Sequence, residues 1–154
     1  MSIWTRALLP EVEQAFKKRR LPAEWSAPDD WPRGLSWQAL TELAWHGHPA
    51  LLADMAPEAF CYFLPSVMVV SDLIAPRRLE AAAQLIDILA ASAIEPQDFL
   101  VQRFRLLTPE ERATISVWLA RLSRHSSYRP DKILEAFQTM IWSTGLSPFK
   151  GLKS

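Results

Sequence analysis

Pro57-Glu58-Ala59-Phe60-Cys61-Tyr62-Phe63-Leu64-Pro65 is an apolar and aromatic run opened and closed by proline. Pro57 suits a first helical turn, where its missing N–H would have no intrahelical partner in any case. Pro65 disfavours helical geometry at Leu64 and removes a donor, so it is expected to stop or kink the helix. The stretch predicts a short helix sunk in a core. Val67 to Ala75 then forms a second half-helix beyond a proline bend. These residues are about packing rather than chemistry.

The surrounding chain carries the same pattern. Only four glycines accompany twelve prolines. No alternating segment is bounded by Asn-Gly or Asp-Gly turns, so strands have little support. Leu8, Leu9, Val12 and Phe16 recur at helical spacing and predict a first helix from about Thr5 to Arg19. The stretch from Leu21 to Leu35 holds Pro22, Pro28, Pro32 and Gly34 with Trp25 and Trp31 between them, a stiffened extended loop. Ser36 is placed to cap a helix through about Trp45, with Leu40 and Leu43 facing inward, and Gly47 and Pro49 break the chain after it.

Arg77 to Ser92 presents one apolar stripe of Leu79, Ala82, Ala83, Ile86 and Leu89. Pro96 to Leu106 predicts a shorter helix. Thr108-Pro109-Glu110-Glu111 is a capping-box start, continued inward by Ile115, Trp118, Leu119 and Leu122. Pro130 opens the last helix, with Ile133, Leu134, Phe137 and Ile141 on its apolar side, and Gly145 ends it. The expected fold is all-α, a single compact multi-helix domain spanning residues 1–154, with about six to eight helices around the short central one.

Composition agrees with a globular domain: 49% hydrophobic residues against 22% charged, in a chain of 154 able to bury a real core. The 17 basic and 17 acidic side chains leave no global charge to recruit nucleic acid or a membrane surface. Their distribution is uneven. From Leu21 to Pro76 there are seven acids, Glu24, Asp29, Asp30, Glu42, Asp54, Glu58 and Asp72, against one base, Arg33. Most compensating bases follow Pro76, and four sit in the run Lys17 to Arg20, where they complement the dipole at a helix C-terminus without needing a partner.

The single cysteine, Cys61, excludes an internal disulfide and fits a reducing compartment. No apolar run of signal-peptide length follows Met1-Ser2-Ile3-Trp4, so a cytoplasmic location is expected. Ser71, Asp72 and Arg77 interrupt the best candidate for the roughly 20 apolar residues that cross a bilayer.

Ala15 and Phe16, then Ala59 to Pro65, then Leu107, Thr108 and Arg112 with Ile115, Trp118 and Leu119 fall in an order that carries a resemblance. Over roughly Arg6 to Leu122 the chain resembles an uncharacterised family of small bacterial proteins with an Ala-Phe-x-Tyr-Tyr/Phe-Leu-Pro core motif. The family has no established activity, so the resemblance implies a fold more than a function.

Catalytic groups are thinly supplied. His46 and His48 flank Gly47 and could meet one metal only in an extended backbone, with Asp54 the nearest candidate for a third ligand, whereas a metal site needs three or four ligands in defined geometry. His46 instead suits the C-terminal end of a helix. His125 precedes Ser126, Ser127 and Tyr128, but triad members meet in space rather than in sequence. Asp29 and Asp30 sit in a proline-bound loop, a solvated turn more than a catalytic pair. No cofactor, metal or catalytic residue is expected, and nucleic-acid binding is disfavoured because the tryptophans cluster with acids.

That clustering leaves Trp25, Asp29, Asp30 and Trp31, extended by Trp37 and Glu42, as candidate partner-binding residues, since tryptophan is enriched in interface hot spots and carboxylates steer basic partners. Seven tryptophans in a small helical domain must mostly be core, which favours the plainer reading that these indoles close over the helices. The functional expectation is a non-catalytic cytoplasmic binding protein, most concretely an immunity protein that occludes a cognate interbacterial toxin with a basic active site. The alternative is a small helical enzyme or ligand-binding protein with a pocket near His46 and Phe60, Cys61, Tyr62 and Phe63.

Overall fold

The structure, a computed structural model, describes residues 7–22, 32, 34–94 and 104–143. Among them are seven α-helices and no strand: α1 (Leu9–Phe16), α2 (Glu42–Gly47), α3 (Leu51–Asp54), α4 (Pro57–Ile74), α5 (Glu80–Ile94), α6 (Pro109–Leu122) and α7 (Pro130–Ser143). A single 3-10 turn, Trp37–Ala39, precedes α2. One apolar core draws on all seven helices, with α4 at its centre against α1, α3, α5, α6 and the 3-10 turn, and α7 lying along α5. The all-α expectation holds.

Helix α4 departs from its reading. It runs unbroken for 18 residues through Pro65, rather than as two half-helices either side of a bend. A proline inside a helix costs about 3 kcal/mol. Phe60, Cys61, Phe63, Leu64, Val67 and Met68 are each wholly buried around it. At about 1.5–3 kcal/mol for each large apolar side chain removed from water, that burial outweighs the proline. Ala59 to Ser71 is buried without interruption, so α4 meets core on every face. Its length and mean hydropathy of 1.3 also reach the minimum for a membrane-crossing helix, a test that the sequence reading had it fail. The central helix of a packed core passes the same test, and 72% of α4 is buried inside the fold.

Two polar side chains sit on that buried helix, and each satisfies an indole. The Trp45 Nε1–H donates to Ser66 Oγ at 2.8 Å, and the Trp118 Nε1–H donates to Ser71 Oγ at 2.8 Å. Ser71 passes its own hydroxyl proton to the Met68 carbonyl at 2.9 Å. Both tryptophans are wholly buried, so an indole left without an acceptor would cost about 1–3 kcal/mol.

The remaining elements follow local rules. Helix α5 buries its predicted stripe of Leu79, Ala82, Ala83, Ile86 and Leu89. Helix α6 starts on a complete capping box, Glu111 N–H to Thr108 Oγ1 at 3.1 Å and Thr108 N–H to Glu111 Oε1 at 2.8 Å.

The helix expected from Ser36 through Trp45 is instead two elements. Leu40 is extended, the Ser36 side chain makes no capping bond, and the chain restarts at Thr41, which begins α2 by accepting the Ala44 N–H at 3.3 Å. That restart turns Leu43 outward, 81% exposed, while Leu40 stays buried. Leu134 on α7 is likewise exposed rather than inward, and Ile133 and Ala136 carry that helix's contact. Helix α1 stops at Phe16, short of Arg19, whose side chain is drawn elsewhere. Most of the helix expected over 96–106 lies outside the described residues, as does the stop at Gly145.

Replacing Ser71 by alanine strands the Trp118 N–H and is expected to lower stability by about 1–3 kcal/mol in urea unfolding. Adding Trp118→Phe removes the stranded donor, so the double variant should lose less than the sum of the two single losses. Additive losses would show that the indole and the hydroxyl are not bonded in solution.

Candidate interaction surfaces

Trp25, Asp29, Asp30 and Trp31 lie outside the described residues. Trp37 is only 4% exposed and belongs to the core, so its indole is not presented at a surface. Of the two described candidate partner-binding residues, Glu42 is at the surface, and it is already engaged. Arg77 grips it with Nη1 to Oε2 at 2.9 Å and Nη2 to Oε1 at 3.2 Å, and His46 Nε2 lies 3.0 Å from Oε2. His46 therefore pairs with a carboxylate one turn back.

The His46 hydrogen bond first, and then Arg77, hold the Glu42 carboxyl below the usual glutamate range. The bridge joins the start of α2 to the turn after α4. Leu43, adjacent to Glu42, and Leu73, four residues before Arg77, are both exposed, at 81% and 65%.

At the junction of α1 with α6, the sequence concealed a second constellation. Arg19 Nε donates to Glu111 Oε2 at 2.8 Å and Nη2 to Oε1 at 2.7 Å, and Nη2 also reaches the Leu106 carbonyl. Glu111, only 2% exposed, serves this pair and the α6 cap together. The carboxylate holds the Arg19 guanidinium above its ordinary pKa. Arg19 therefore has a specific partner, whereas the basic run was expected to need none.

Beside the pair opens a groove of about 830 Å³, lined by Ala15, Lys18, Arg20 and Leu21 on one side and by Leu106 and Glu110 on the other. Arg112 on α6 donates from Nη2 to the Phe104 carbonyl at 2.7 Å, while its buried Nε has no acceptor among the described residues. Burial lowers the Arg112 pKa from its ordinary value.

A third pair crosses the other end of α1. Arg121 on α6 grips Asp72 on α4 with Nε to Oδ1 at 2.7 Å and Nη2 to Oδ2 at 3.0 Å. The Leu8 N–H at the start of α1 donates to the same Oδ2 at 3.1 Å.

No group of three His, Cys, Asp or Glu side chains is placed to hold a metal among the described residues. Phe60, Cys61 and Phe63 are wholly buried, and Tyr62 nearly so. Tyr62 and Phe63 stack edge to face with centroids 4.8 Å apart, and Phe60 meets Phe104 at 6.2 Å. The segment proposed to line a ligand pocket is thus built into aromatic packing.

Comparison of the chain with protein-family models, with curated proteins and with solved structures returned no match.

Because Glu42 titrates from a depressed value, its bonds contribute above the ordinary glutamate pKa and are lost as pH falls through the folded-state value. Carboxylate NMR should place its midpoint below the peptide value of about 4.3. His46→Ala and Arg77→Ala should each move it upward. A wild-type midpoint at the peptide value would mean that neither bond persists in solution.

For Arg19→Ala, the nearly buried Glu111 charge loses its partner, with an expected loss near 3 kcal/mol in chemical unfolding. Lys17→Ala, which removes an exposed charge, should change little.

Proposed function

We propose that this chain is a non-catalytic binding protein that occludes a protein partner, most concretely an immunity protein against a cognate interbacterial toxin acting in the cytoplasm. The observation that carries the reading is the exposure of Leu43, next to Glu42, and of Leu73, four residues before the Arg77 that binds Glu42. Bulky apolar side chains rimmed by polar groups are what interface cores are made of. The seven acids between Leu21 and Pro76 add a field suited to a basic partner. Of the described members of that set, Glu42 and Asp72 are neutralised by Arg77 and Arg121. The steering charge then falls to the exposed Asp54 and Glu58 and to the acidic residues of the Trp25–Trp31 stretch.

The test is capture of stoichiometric partners from host lysate with the tagged protein, beginning with the product of the adjacent gene. Each captured partner is then expressed alone to assess toxicity. A single partner that is toxic alone and harmless with this protein is the expected result. Leu43→Asp with Leu73→Asp should weaken that complex by more than tenfold, the effect of losing hot-spot contacts. Asp29→Lys with Asp30→Lys should act mainly on association rate and its salt dependence. A partner indifferent to both double variants would remove these surfaces from the reading, and the absence of any stoichiometric partner would remove the reading itself.

A further inference from the structure

Away from these surfaces, the N-terminal half of α5, the start of α7 and the residues just before each helix line a pocket of about 250 Å³, with Arg78, Ala83, Ile86, Asp87, Tyr128, Arg129 and Lys132 around it. We propose that this pocket binds the phosphate group of a small phosphomonoester. The inference is independent of the partner-occlusion reading and uses none of its residues.

Three cations from two segments distant in sequence line one small concavity, with Ala83 and Ile86 as its apolar part. Arg78 is fixed before any ligand arrives. Its Nη1 donates to the Ser127 carbonyl at 3.1 Å, its Nε to Glu80 at 3.2 Å, and its guanidinium lies 5.9 Å from the Tyr128 ring centroid. Tyr128 is itself pinned, buried and accepting the Leu79 N–H on its hydroxyl at 2.8 Å. The Ser127 hydroxyl ties the same loop to the Pro76 carbonyl. A guanidinium carries five N–H donors, and these bonds leave the Nη2 edge of Arg78 uncommitted.

Arg129 spends only Nη2, on Asp131 at 2.8 Å, and Lys132 reaches Glu135 at 3.4 Å. The pairs of Arg78 with Glu80 and of Arg129 with Asp131 are exposed on both sides, and such surface pairs contribute at most about 1 kcal/mol. A doubly charged oxyanion can therefore draw Arg129 from Asp131 cheaply and meet the fixed Arg78 at its uncommitted Nη2 edge, and guanidinium forks match phosphate geometry. Asp87 is the one carboxylate in the lining. It disfavours a bare polyanion and matches a hydroxyl carried on the ligand. Drug-sized ligands occupy roughly 300–1,000 Å³, so a pocket below that range selects a phosphate with few attached atoms.

The experiment is an amide NMR titration of the purified protein with glycerol phosphate, inorganic phosphate and chloride at constant ionic strength. Both phosphates should give saturable shifts centred on Ala83, Ile86, Asp87, Tyr128 and Lys132, with glycerol phosphate the tighter, and chloride should give none. Arg129→Ala with Lys132→Ala, at sites open enough to leave folding intact by circular dichroism, should weaken binding at least about tenfold. Lys17→Ala should leave it unchanged. Absence of saturable shifts, or equal affinity in the double variant, would reduce the cluster to ordinary surface ion pairing and overturn the proposal.

Discussion

A helix buried on every face has to dispose of each polar atom it carries, and that constraint organises this protein. Ser66 and Ser71 of α4 accept the indole protons of Trp45 and Trp118, which approach from α2 and α6. Each bond satisfies a polar group on both partners, so neither side of the helix–helix contact leaves an orphan. A tryptophan supplies more apolar area than any other side chain, but only a placed acceptor lets it be buried completely. With both acceptors on α4, the helices bearing Trp45 and Trp118 are oriented on one central rod. The apolar side chains then fill the space between them, and Pro65 is carried along because the surrounding packing exceeds its cost.

Helix α1 is held differently. With eight residues it is too short to be stable alone, so its position rests on what it touches. Val12 and Phe16 bury one face, and Asp72 receives the Leu8 N–H at one end while Arg19 reaches Glu111 at the other. Apolar contact alone resists sliding of a helix weakly. Directional bonds at both ends oppose it. Arg121 on Asp72 and Thr108 on Glu111 give each of these carboxylates a second engagement on α6, so the cap of α6 and the seat of α1 share a carboxylate. Replacing one such ion pair by well-packed apolar groups need not cost stability, but breaking it from one side strands a charge, which makes both members hard to change singly.

Features set by neighbours in sequence were legible. The stripe of α5, the capping box at Thr108 and the start at Pro130 each rest on residues within one or two turns. What failed was longer in range. Pro65 breaks a helix by local rules, and only the burial of residues around it overrides them. Leu43 read as inward because Ser36 is as good a cap as Thr41, and nothing local chooses between them. Arg19 and Glu111 are 92 positions apart, and Asp72 and Arg121 are 49 apart, so no spacing rule connects them. Of the candidate partner-binding residues, Trp37 illustrates the ambiguity of tryptophan. Hot-spot anchor and core filler have the same composition, and only burial separates them.

The economy of polar groups also bears on where function resides. Among the described residues, most polar side chains that reach inward, Ser66, Ser71, Asp72, Glu111, Arg121 and Thr139, join one helix to another, while Thr114 bonds back to its own helix. Changing any of them for chemistry would disturb the seat of a helix, so the interior offers little freedom for a site. The surface is less constrained. Leu43 and Leu73 stand in water at a cost that the fold itself does not require, since neither contributes to the core. A single exposed leucine needs no explanation, and Leu43 and Leu73 are exposed on segments that the bond between Glu42 and Arg77 ties together. Under the reading proposed above, a partner that covers these side chains would give them the burial that folding does not.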